Sequence, residues 1–445
     1  PDPARAAELY RQAAEDGYAP AQCDLAVCLL NGNGVKKDEE AAEAWLERAV
    51  AQGYPRAQSI LGLCCEGGIN GEPELARAVE LYRQAAEAGF ADAQCCLAIC
   101  LLNGSGVDED NEAAVRWATA AAEQGLPRAQ DILGLCYENG YGVEPDIARA
   151  AELYRQAAEQ GFAAAQCNLA VCLLNGRGLK KNAAAAVEWL ERAAEQGYPR
   201  AQNLLGECCE QGRGTERDEE RAVEQYRRAA EQGHAGALCN LGLCLLYGRG
   251  VAEDEAGAVE RLTQAAEQNS LCAVETLGIC YEFGYGVAED RQRAVEQYRR
   301  AAEEGYAPAQ TRLARCLLNA CGVEKDEAAA VKWLERAAEQ EFPWAQAMLG
   351  ECCEQGRGTA ADGTRAVELY RRAAEKGYAP AQCSLAVCLL EGHGAEKNEA
   401  EAVAWLRRAA KENSPRAVDL LGQCYEKGLG VEADEARALR LYRQA

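Results

Sequence analysis

The sequence contains few of the residues that most often carry enzyme chemistry. Of its 445 residues only two are histidine, His234 and His393, and they do not occupy equivalent positions. This excludes a repeated histidine-based site and leaves little from which to build cysteine–histidine catalysis. No phosphate-binding loop, dinucleotide-binding glycine pattern or paired-carboxylate motif is present, so we expect neither a cofactor nor an enzymatic activity.

Long apolar runs and an excess of positive charge are also lacking. No stretch approaches the roughly 20 apolar residues that span a bilayer, so we expect no membrane insertion. The 71 acidic residues outnumber the 47 basic ones, which gives a formal net charge of −24. Such a charge repels nucleic acid and anionic membrane surfaces and excludes both as partners. The chain starts at Pro1 and stops inside a helical pattern at Ala445, which we interpret as a piece excised from a longer protein.

Cysteine, in contrast, is abundant and regularly placed. From Cys28 onward a cysteine returns every 36 residues, twelve times, without an insertion or deletion. These positions are Cys28, Cys64, Cys100, Cys136, Cys172, Cys208, Cys244, Cys280, Cys316, Cys352, Cys388 and Cys424. A fixed period of this length indicates a stacked array of short units, each of which buries its apolar face against its neighbours. We therefore predict a single continuous domain over residues 1–445.

Each unit of the array has the pattern of two helices. In the unit from Ala19 to Tyr54, apolar spacing predicts a first helix over Pro20 to Asn31. A second helix is predicted from the N-cap residue Asp38 to Gly53. No strand pattern appears. The prediction is an all-α fold, an α/α solenoid of twelve 36-residue helix-turn-helix repeats that follow a leading helix over residues 2–17.

Glycine recurs at two positions of the turn between the helices. The position of Gly32 is glycine in eleven of twelve units and alanine only at Ala320, and the position of Gly34 departs from glycine only at Asn70. Both are expected to have positive φ, as a helix C-cap and a tight turn require. The second helices end in glycine or asparagine, with Glu341 as the exception.

A longer period of 72 residues lies beneath the 36-residue period, so the repeats are paired. The position of Leu30 is leucine in odd-numbered units and glutamate in even-numbered units, and Leu46 of the second helix alternates with Tyr82. The glutamates are Glu66, Glu138, Glu210, Glu282, Glu354 and Glu426. They predict either an acidic element of a binding face or an ordinary solvated helix end that was inherited by duplication.

The odd-numbered first helices carry a second apolar stripe. Cys23, Val27 and Leu30 are spaced on one side of the helix, rotated away from the core stripe that contains Leu25 and Cys28. The aliphatic members proposed to contact a partner are Val27, Leu30, Ile99, Leu102, Val171, Leu174, Leu243, Leu246, Val387 and Leu390. The stripe forms either an exposed binding surface or additional core between neighbouring units.

The run from Leu133 to Val143, followed by the segment from Ala148 to Gly161, resembles the Sel-one-like (SLR) repeat, a relative of the tetratricopeptide repeat. The resemblance recurs along the whole chain. It implies a right-handed superhelix in which the first helices line a concave face that binds protein partners. The aliphatic and glutamate bands would alternate on this face, an arrangement suited to a peptide with apolar anchors and basic residues. A cysteine-rich branch of the family links the two helices of a repeat by disulfides, but the second helices here contain no cysteine.

The 23 cysteines leave more than one interpretation open. Cys23 and Cys28 diverge by about 140° around one helix and cannot chelate the same ion, and equivalent positions on successive stacked helices are about 8–10 Å apart. We favour buried free thiols in a reducing, cytoplasmic compartment. The function predicted is a non-enzymatic scaffold for protein interaction without a metal site. The alternatives are a thiol array that binds Cu(I) or zinc, and an engineered consensus array with no native partner.

The fifth odd-numbered unit, which contains Cys316, differs in sequence from the other odd-numbered units. It carries Thr311 in place of cysteine, Arg315 in place of an aliphatic residue, then Ala320 and Cys321, and Trp344 follows in the next unit. These changes indicate either drift in one copy, which loop tips tolerate, or a local specificity site.

Overall fold

A computed structural model describes residues 2–69 and 71–444, and every regular element in these residues is an α-helix. The first helices of the units are α2 (Ala19–Asn31), α4 (Pro55–Gly67), α6 (Ala91–Asn103), α8 (Pro127–Asn139), α10 (Ala163–Asn175), α12 (Pro199–Gln211), α14 (Ala235–Tyr247), α16 (Leu271–Phe283), α18 (Ala307–Asn319), α20 (Pro343–Gln355), α22 (Ala379–Glu391) and α24 (Pro415–Lys427). The leading helix and the second helices are α1 (Pro3–Glu15), α3 (Glu39–Ala51), α5 (Leu75–Glu87), α7 (Asn111–Glu123), α9 (Ile147–Glu159), α11 (Ala183–Glu195), α13 (Glu219–Glu231), α15 (Glu255–Glu267), α17 (Arg291–Glu303), α19 (Glu327–Glu339), α21 (Gly363–Glu375), α23 (Glu399–Lys411) and α25 (Glu435–Gln444). The predicted leading helix and twelve helix pairs are confirmed.

The helices pack as two compact units, Pro1–Ala229 and Ala230–Ala445. In the first unit, α2 packs between α1 and α3, and it also contacts the next first helix, α4. In the second unit, α18 packs between α17 and α19 and contacts α20. Within each unit, successive first helices therefore lie closer together than successive second helices and form a layer of their own.

The helix boundaries follow from local capping. The side chain of Asp38 accepts a hydrogen bond from the Ala41 backbone N–H at 2.9 Å and thereby begins α3. Glu74, the exception at this position, makes no such capping bond. At the end of the first helices Gly32 has a φ of 71°, and Ala320 is held at a φ of 55° although it has a Cβ atom. Glu341 likewise adopts a φ of 60°.

The second glycine of the turn serves close packing as well as positive φ. A Cβ atom on Gly142 would lie 2.1 Å from the backbone oxygen of Asn111 at the start of α7. Only glycine lets the turn approach the preceding second helix so closely. The exception predicted at this position, Asn70, lies outside the described residues.

The cysteine ladder belongs to the core. Leu25 is buried, Cys28 is half-buried, and each equivalent of Cys28 in the other eleven units is buried. Burial raises the pKa of Cys136 to about 11, so this thiol stays protonated and behaves as a small apolar side chain. The interpretation of the ladder as core atoms is confirmed.

One pair of thiols lies in direct contact. All 23 cysteines are present as thiols, but the Sγ atoms of Cys239 on α14 and Cys272 on α16 lie only 3.0 Å apart. The separation of about 8–10 Å applies to equivalent positions on successive first helices. These two cysteines are staggered, since they are 33 residues apart rather than 36, and the stagger brings their side chains into contact.

Candidate protein-interaction surface

The predicted aliphatic stripe is divided between surface and core. Its cysteine members, such as Cys23, are buried. The middle members are half-buried in each copy: Val27, Ile99, Val171, Leu243 and Val387. The leucines differ from copy to copy, because Leu30, Leu102 and Leu390 are half-buried whereas Leu174 and Leu246 are buried.

The alternating glutamates each pair with a tyrosine of the following second helix. The Tyr154 hydroxyl donates to Oε2 of Glu138 at 2.7 Å, and the same contact recurs 16 residues apart in the other even-numbered units. These contacts join Tyr82 to Glu66, Tyr226 to Glu210, Tyr298 to Glu282, Tyr370 to Glu354 and Tyr442 to Glu426. Burial, together with the hydrogen bond to the glutamate, raises the pKa of Tyr154 far above its usual range. The glutamate satisfies a hydroxyl that would otherwise be buried without a partner.

A glycine on the first helix makes room for each of these tyrosine rings. A Cβ atom on Gly134 would lie 2.6 Å from Cε1 of Tyr154. The odd-numbered unit that contains Leu174 in place of the glutamate has Ala170 at the position of Gly134 and Leu190 at the position of Tyr154. Even-numbered units therefore combine glycine with tyrosine and glutamate, whereas most odd-numbered units combine alanine with two leucines; Gly242 and Ala118 are the exceptions. Sequence reasoning noticed the alternation at two of these positions but missed the glycine.

The second oxygen of some glutamates contacts a basic residue. Oε1 of Glu138 pairs with Arg177 at 2.8 Å, and Oε1 of Glu282 pairs with Arg315 at 2.6 Å. These glutamates are thus oriented from one side by tyrosine and are able to bind cations from the other. A structural role and a binding role are compatible in the same side chain.

A polar ladder runs along the first helices of the N-terminal unit. Arg56 at the start of α4 pairs with Asp24 at 2.6 Å, and Arg200 at the start of α12 donates to Asn168 at 2.9 Å. Asn168 in turn donates to Asp131 at 2.9 Å. Burial raises the pKa of Asp131 to about 6, against the hydrogen bond from Asn168 and the charge of Arg200.

In the C-terminal unit, different residues at the corresponding positions form a cluster that we call the arginine–tryptophan cluster. It consists of Glu275, Glu282, Arg312, Arg315 and Trp344. Arg312 stands where Asp24 and Asn168 stand in their units; it pairs with the buried Glu275 and lies 5.4 Å from the centre of the Trp344 ring. Arg315 pairs with Glu282 and lies 6.0 Å from the same ring. Guanidinium groups at these distances make cation–π contacts. Arg312 and Arg315 on α18 are therefore matched by glutamates on α16 and by Trp344 on α20.

An open pocket of about 280 Å³ adjoins this cluster. Its walls combine apolar side chains with charge of both signs, and they include Trp344, Met348, Glu351, Glu354, Tyr378 and Arg416. The lining residues come mainly from the first helices α20, α22 and α24 and the turn before α22, and second helix α21 contributes Tyr370. Its two glutamates place negative charge beside an aromatic ring.

The thiols and histidines do not assemble into a metal centre in the part of the chain that the structure describes. There, no three histidine, cysteine, aspartate or glutamate side chains come together in a way that could hold a metal ion. His234 accepts from the Ala237 backbone N–H at 3.2 Å and begins α14, and His393 pairs with Glu391 in an exposed turn. No described helix has both the length and the apolar character needed to cross a membrane.

The fold and this surface define an α/α repeat protein of the solenoid class, in which the helix pairs of each unit present a layer of first helices. The chain belongs to the Sel1 repeat family: matches to the family profile cover residues 1–18, then 36-residue units from 19–54 to 235–270, and then 277–306, 307–342, 345–378, 379–414 and 415–445. The resemblance stated from sequence is confirmed. A role in protein–protein interaction, as a non-enzymatic scaffold, is typical of this family.

Solved structures agree with this assignment. The crystal structure of a protective antigen from uropathogenic Escherichia coli strains, which displays an SLR fold, is 34% identical with a TM-score of 0.59 and covers 90% of this chain and 86% of its own. A Sel1 repeat protein from Oxalobacter formigenes is 31% identical with a TM-score of 0.48, covering 71% of this chain and 92% of its own. A search of curated proteins found no match.

Proposed function

We propose that the first-helix surface binds an extended or helical peptide that carries apolar anchors and basic residues. In each unit a column of half-buried aliphatic residues supplies apolar contact, Val27, Ile99 and Val171 in the first and Leu243 and Val387 in the second, and Leu30, Leu102 and Leu390 extend these columns. The buried Leu174 and Leu246 support the column from within. The even-unit glutamates select basic groups on the ligand.

The pocket beside Trp344 is the observation that carries this proposal. It joins an aromatic ring, Met348 and two glutamates within one concavity of about 280 Å³ on the first-helix side. A lysine or arginine side chain matches such a pocket, because its stem packs on apolar surface while its charged end reaches a carboxylate. The net charge of −24 attracts basic ligands to the whole molecule and raises their association rate.

The hydrogen bonds made by Glu354 sharpen the proposal. Its Oε2 accepts from the Tyr370 hydroxyl at 2.9 Å, which fixes the carboxylate at the pocket wall. A carboxylate held in advance loses less side-chain entropy on binding than a free one. Glutamine at this position keeps an acceptor for Tyr370 and removes the charge, so it separates the binding role from the structural one.

Fluorescence anisotropy with a defined probe tests the proposal. The probe is a labelled peptide in which leucine and arginine alternate, and the matched peptide alternates leucine and glutamate. We expect the basic peptide to bind and the Glu351→Gln/Glu354→Gln variant to bind it at least tenfold more weakly, a change of about 1.4 kcal/mol.

The matched control removes the same charge from second helix α21. The Glu368→Gln/Glu375→Gln variant is expected to bind the basic peptide within a factor of about two of the unmodified protein, because exposed charges at a distance are screened by salt. Equal affinity for the two peptides, or equal loss in both variants, would contradict the proposed surface.

A further inference from the structure

Two thiols on neighbouring first helices of the C-terminal unit are in direct contact. The Sγ–H of Cys239 on α14 donates to Sγ of Cys272 on α16 across 3.0 Å. Cys239 is buried, whereas Cys272 is half-buried at the start of its helix. Cys272 is therefore the more exposed residue of the pair.

The contact depends on a residue that only one even-numbered unit carries. The position of Cys272 is occupied by Arg56, Arg128, Arg200, Trp344 and Arg416 in the other even-numbered units. Cys167, which corresponds to Cys239 one 72-residue unit earlier, faces the guanidinium of Arg200 instead of a thiol. Cys167 with Arg200 therefore serves as an internal control for Cys239 with Cys272.

The surroundings of Cys272 favour its thiolate. Hydrogen bonds from Cys239 and from the Tyr306 hydroxyl lower the pKa of Cys272, against burial and the negative charge of Glu275, which raise it. Cys28 is also half-buried, but no such donors lower its pKa, and burial raises it. The thiolate is the nucleophilic form of cysteine, so the donors activate Cys272 and no equivalent effect activates Cys28.

We propose that Cys239 and Cys272 form an oxidation-sensitive dithiol, in which Cys272 is the reactive thiol toward hydrogen peroxide and Cys239 resolves its oxidised form. In the first step the Cys272 thiolate attacks one peroxide oxygen. An S–O bond forms, the O–O bond breaks, and the departing hydroxide takes up a proton to become water. The product is a sulfenic acid on Cys272.

In the second step the Cys239 sulfur attacks the sulfur of that sulfenic acid. The S–S bond forms, the S–O bond breaks, and the hydroxide leaves as water with the proton of the Cys239 thiol. Overall, two thiols and one peroxide yield one disulfide and two waters, and two electrons pass from sulfur to oxygen. The disulfide links α14 to α16 across successive repeats, one helical turn from Glu275 of the arginine–tryptophan cluster.

Peptide mapping of the full chain tests this proposal. The reduced protein is treated with hydrogen peroxide, free thiols are blocked after denaturation, and tryptic peptides are analysed by mass spectrometry. We expect a peroxide-dependent cross-link between the peptides that contain Cys239 and Cys272, with fragmentation separating these residues from Cys244 and Cys280. At the same dose Cys28 and Cys167 are expected to remain reduced.

Two variants keep the proposal falsifiable. Cys272→Arg restores the residue of the sibling units, so helicity is expected to be unchanged and the cross-link lost. Cys239→Ala is expected to leave Cys272 as a sulfenic acid that dimedone traps at least tenfold more than in the unmodified protein. Oxidation of Cys28 at the same dose as Cys272, or a cross-link that persists in Cys272→Arg, would overturn the proposal.

Discussion

The Tyr154 hydroxyl donates a 2.7 Å hydrogen bond to Oε2 of Glu138, and this contact explains why the units alternate with a period of 72 residues. A buried tyrosine needs a hydrogen-bond acceptor and space for its ring. Glu138 provides the acceptor and Gly134 provides the space. The three residues change together between most even- and odd-numbered units; the exceptions among the odd-numbered units are Gly242, which keeps the glycine, and Ala118, which stands at the tyrosine position.

This relationship predicts strong coupling between the three positions. Gly134→Ala is expected to lower the free energy of unfolding by about 1–3 kcal/mol, because the added Cβ overlaps the Tyr154 ring. Converting all three residues to the odd-unit set, as Gly134→Ala/Tyr154→Leu/Glu138→Leu, is expected to recover most of this loss. Urea denaturation and hydrogen exchange of the α8–α9 repeat measure both effects. Independent, additive effects of the three substitutions would contradict the packing account.

The turn after α18 offers a stabilising substitution. Ala320 has a φ of 55°, a conformation that costs a residue with a Cβ atom about 1 kcal/mol or more. Ala320→Gly is therefore expected to raise the free energy of unfolding by about 1 kcal/mol, despite the greater freedom of glycine in the unfolded chain. The mirror variant Gly356→Ala, at the same position two helices later, is expected to lower it by a similar amount. Unchanged urea midpoints in both variants would rule out this assignment of strain.

Asp131 predicts a pH dependence of stability. Burial raises its pKa to about 6 in the folded protein, above the value of about 3.9 expected for an unfolded chain. As the pH rises, Asp131 therefore loses its proton in the unfolded chain before it does so in the folded protein. The resulting destabilisation of the folded protein grows between about pH 4 and 6 and is complete at pH 7. Asp131→Asn keeps an acceptor for Asn168 and removes the ionisation.

Stability measurements on Asp131→Asn show directly whether the Asp131 charge stabilises or destabilises the folded protein. Asp131→Asn is expected to be more stable than the unmodified protein by about 1–3 kcal/mol at pH 7, the size of a shift near two pKa units. The difference is expected to shrink to near zero at about pH 4. Urea denaturation of both proteins at the two pH values checks this, and a variant that is less stable at pH 7 would show that the Asp131 charge is favourable.

The cysteine ladder predicts low thiol reactivity in the folded state. Burial raises the pKa of Cys64, Cys172, Cys208, Cys280 and Cys352 to about 11, so their thiolates are scarce at neutral pH. We expect a thiol-specific chromogenic reagent at pH 7.5 to label these residues only after guanidinium denaturation. Rapid labelling of the ladder in the native protein would contradict its placement in the core.

The sequence predicts the helices of this protein well because their boundaries depend on local chemistry. Asp38 caps the helix that begins one residue later, and Gly32 ends the helix before it. Contacts between units are less accessible, because they depend on which side chains face each other across two helices. Glu275 and Arg312 are 37 residues apart and meet on neighbouring first helices, and nothing in either local segment indicates this pairing.

The exposure of the leucines in the aliphatic stripe is also not predicted by the sequence. Leu30 and Leu174 occupy equivalent positions in nearly identical helices, yet Leu30 is half-buried and Leu174 is buried. Their exposure is set by the neighbouring turns and helices, which differ between copies. Periodicity assigns both to one side of the helix, but it does not distinguish the surface edge of the stripe from its core.

Hydrogen exchange with and without the leucine–arginine peptide tests the central claim, that the first helices form the binding surface. At saturating peptide we expect slower exchange in α20, α22 and the turn before α22, with the Glu351→Gln/Glu354→Gln variant losing this protection. Second helices α19 and α23 are expected to be unaffected. Protection confined to these second helices, or protection that persists in the variant, would contradict the account.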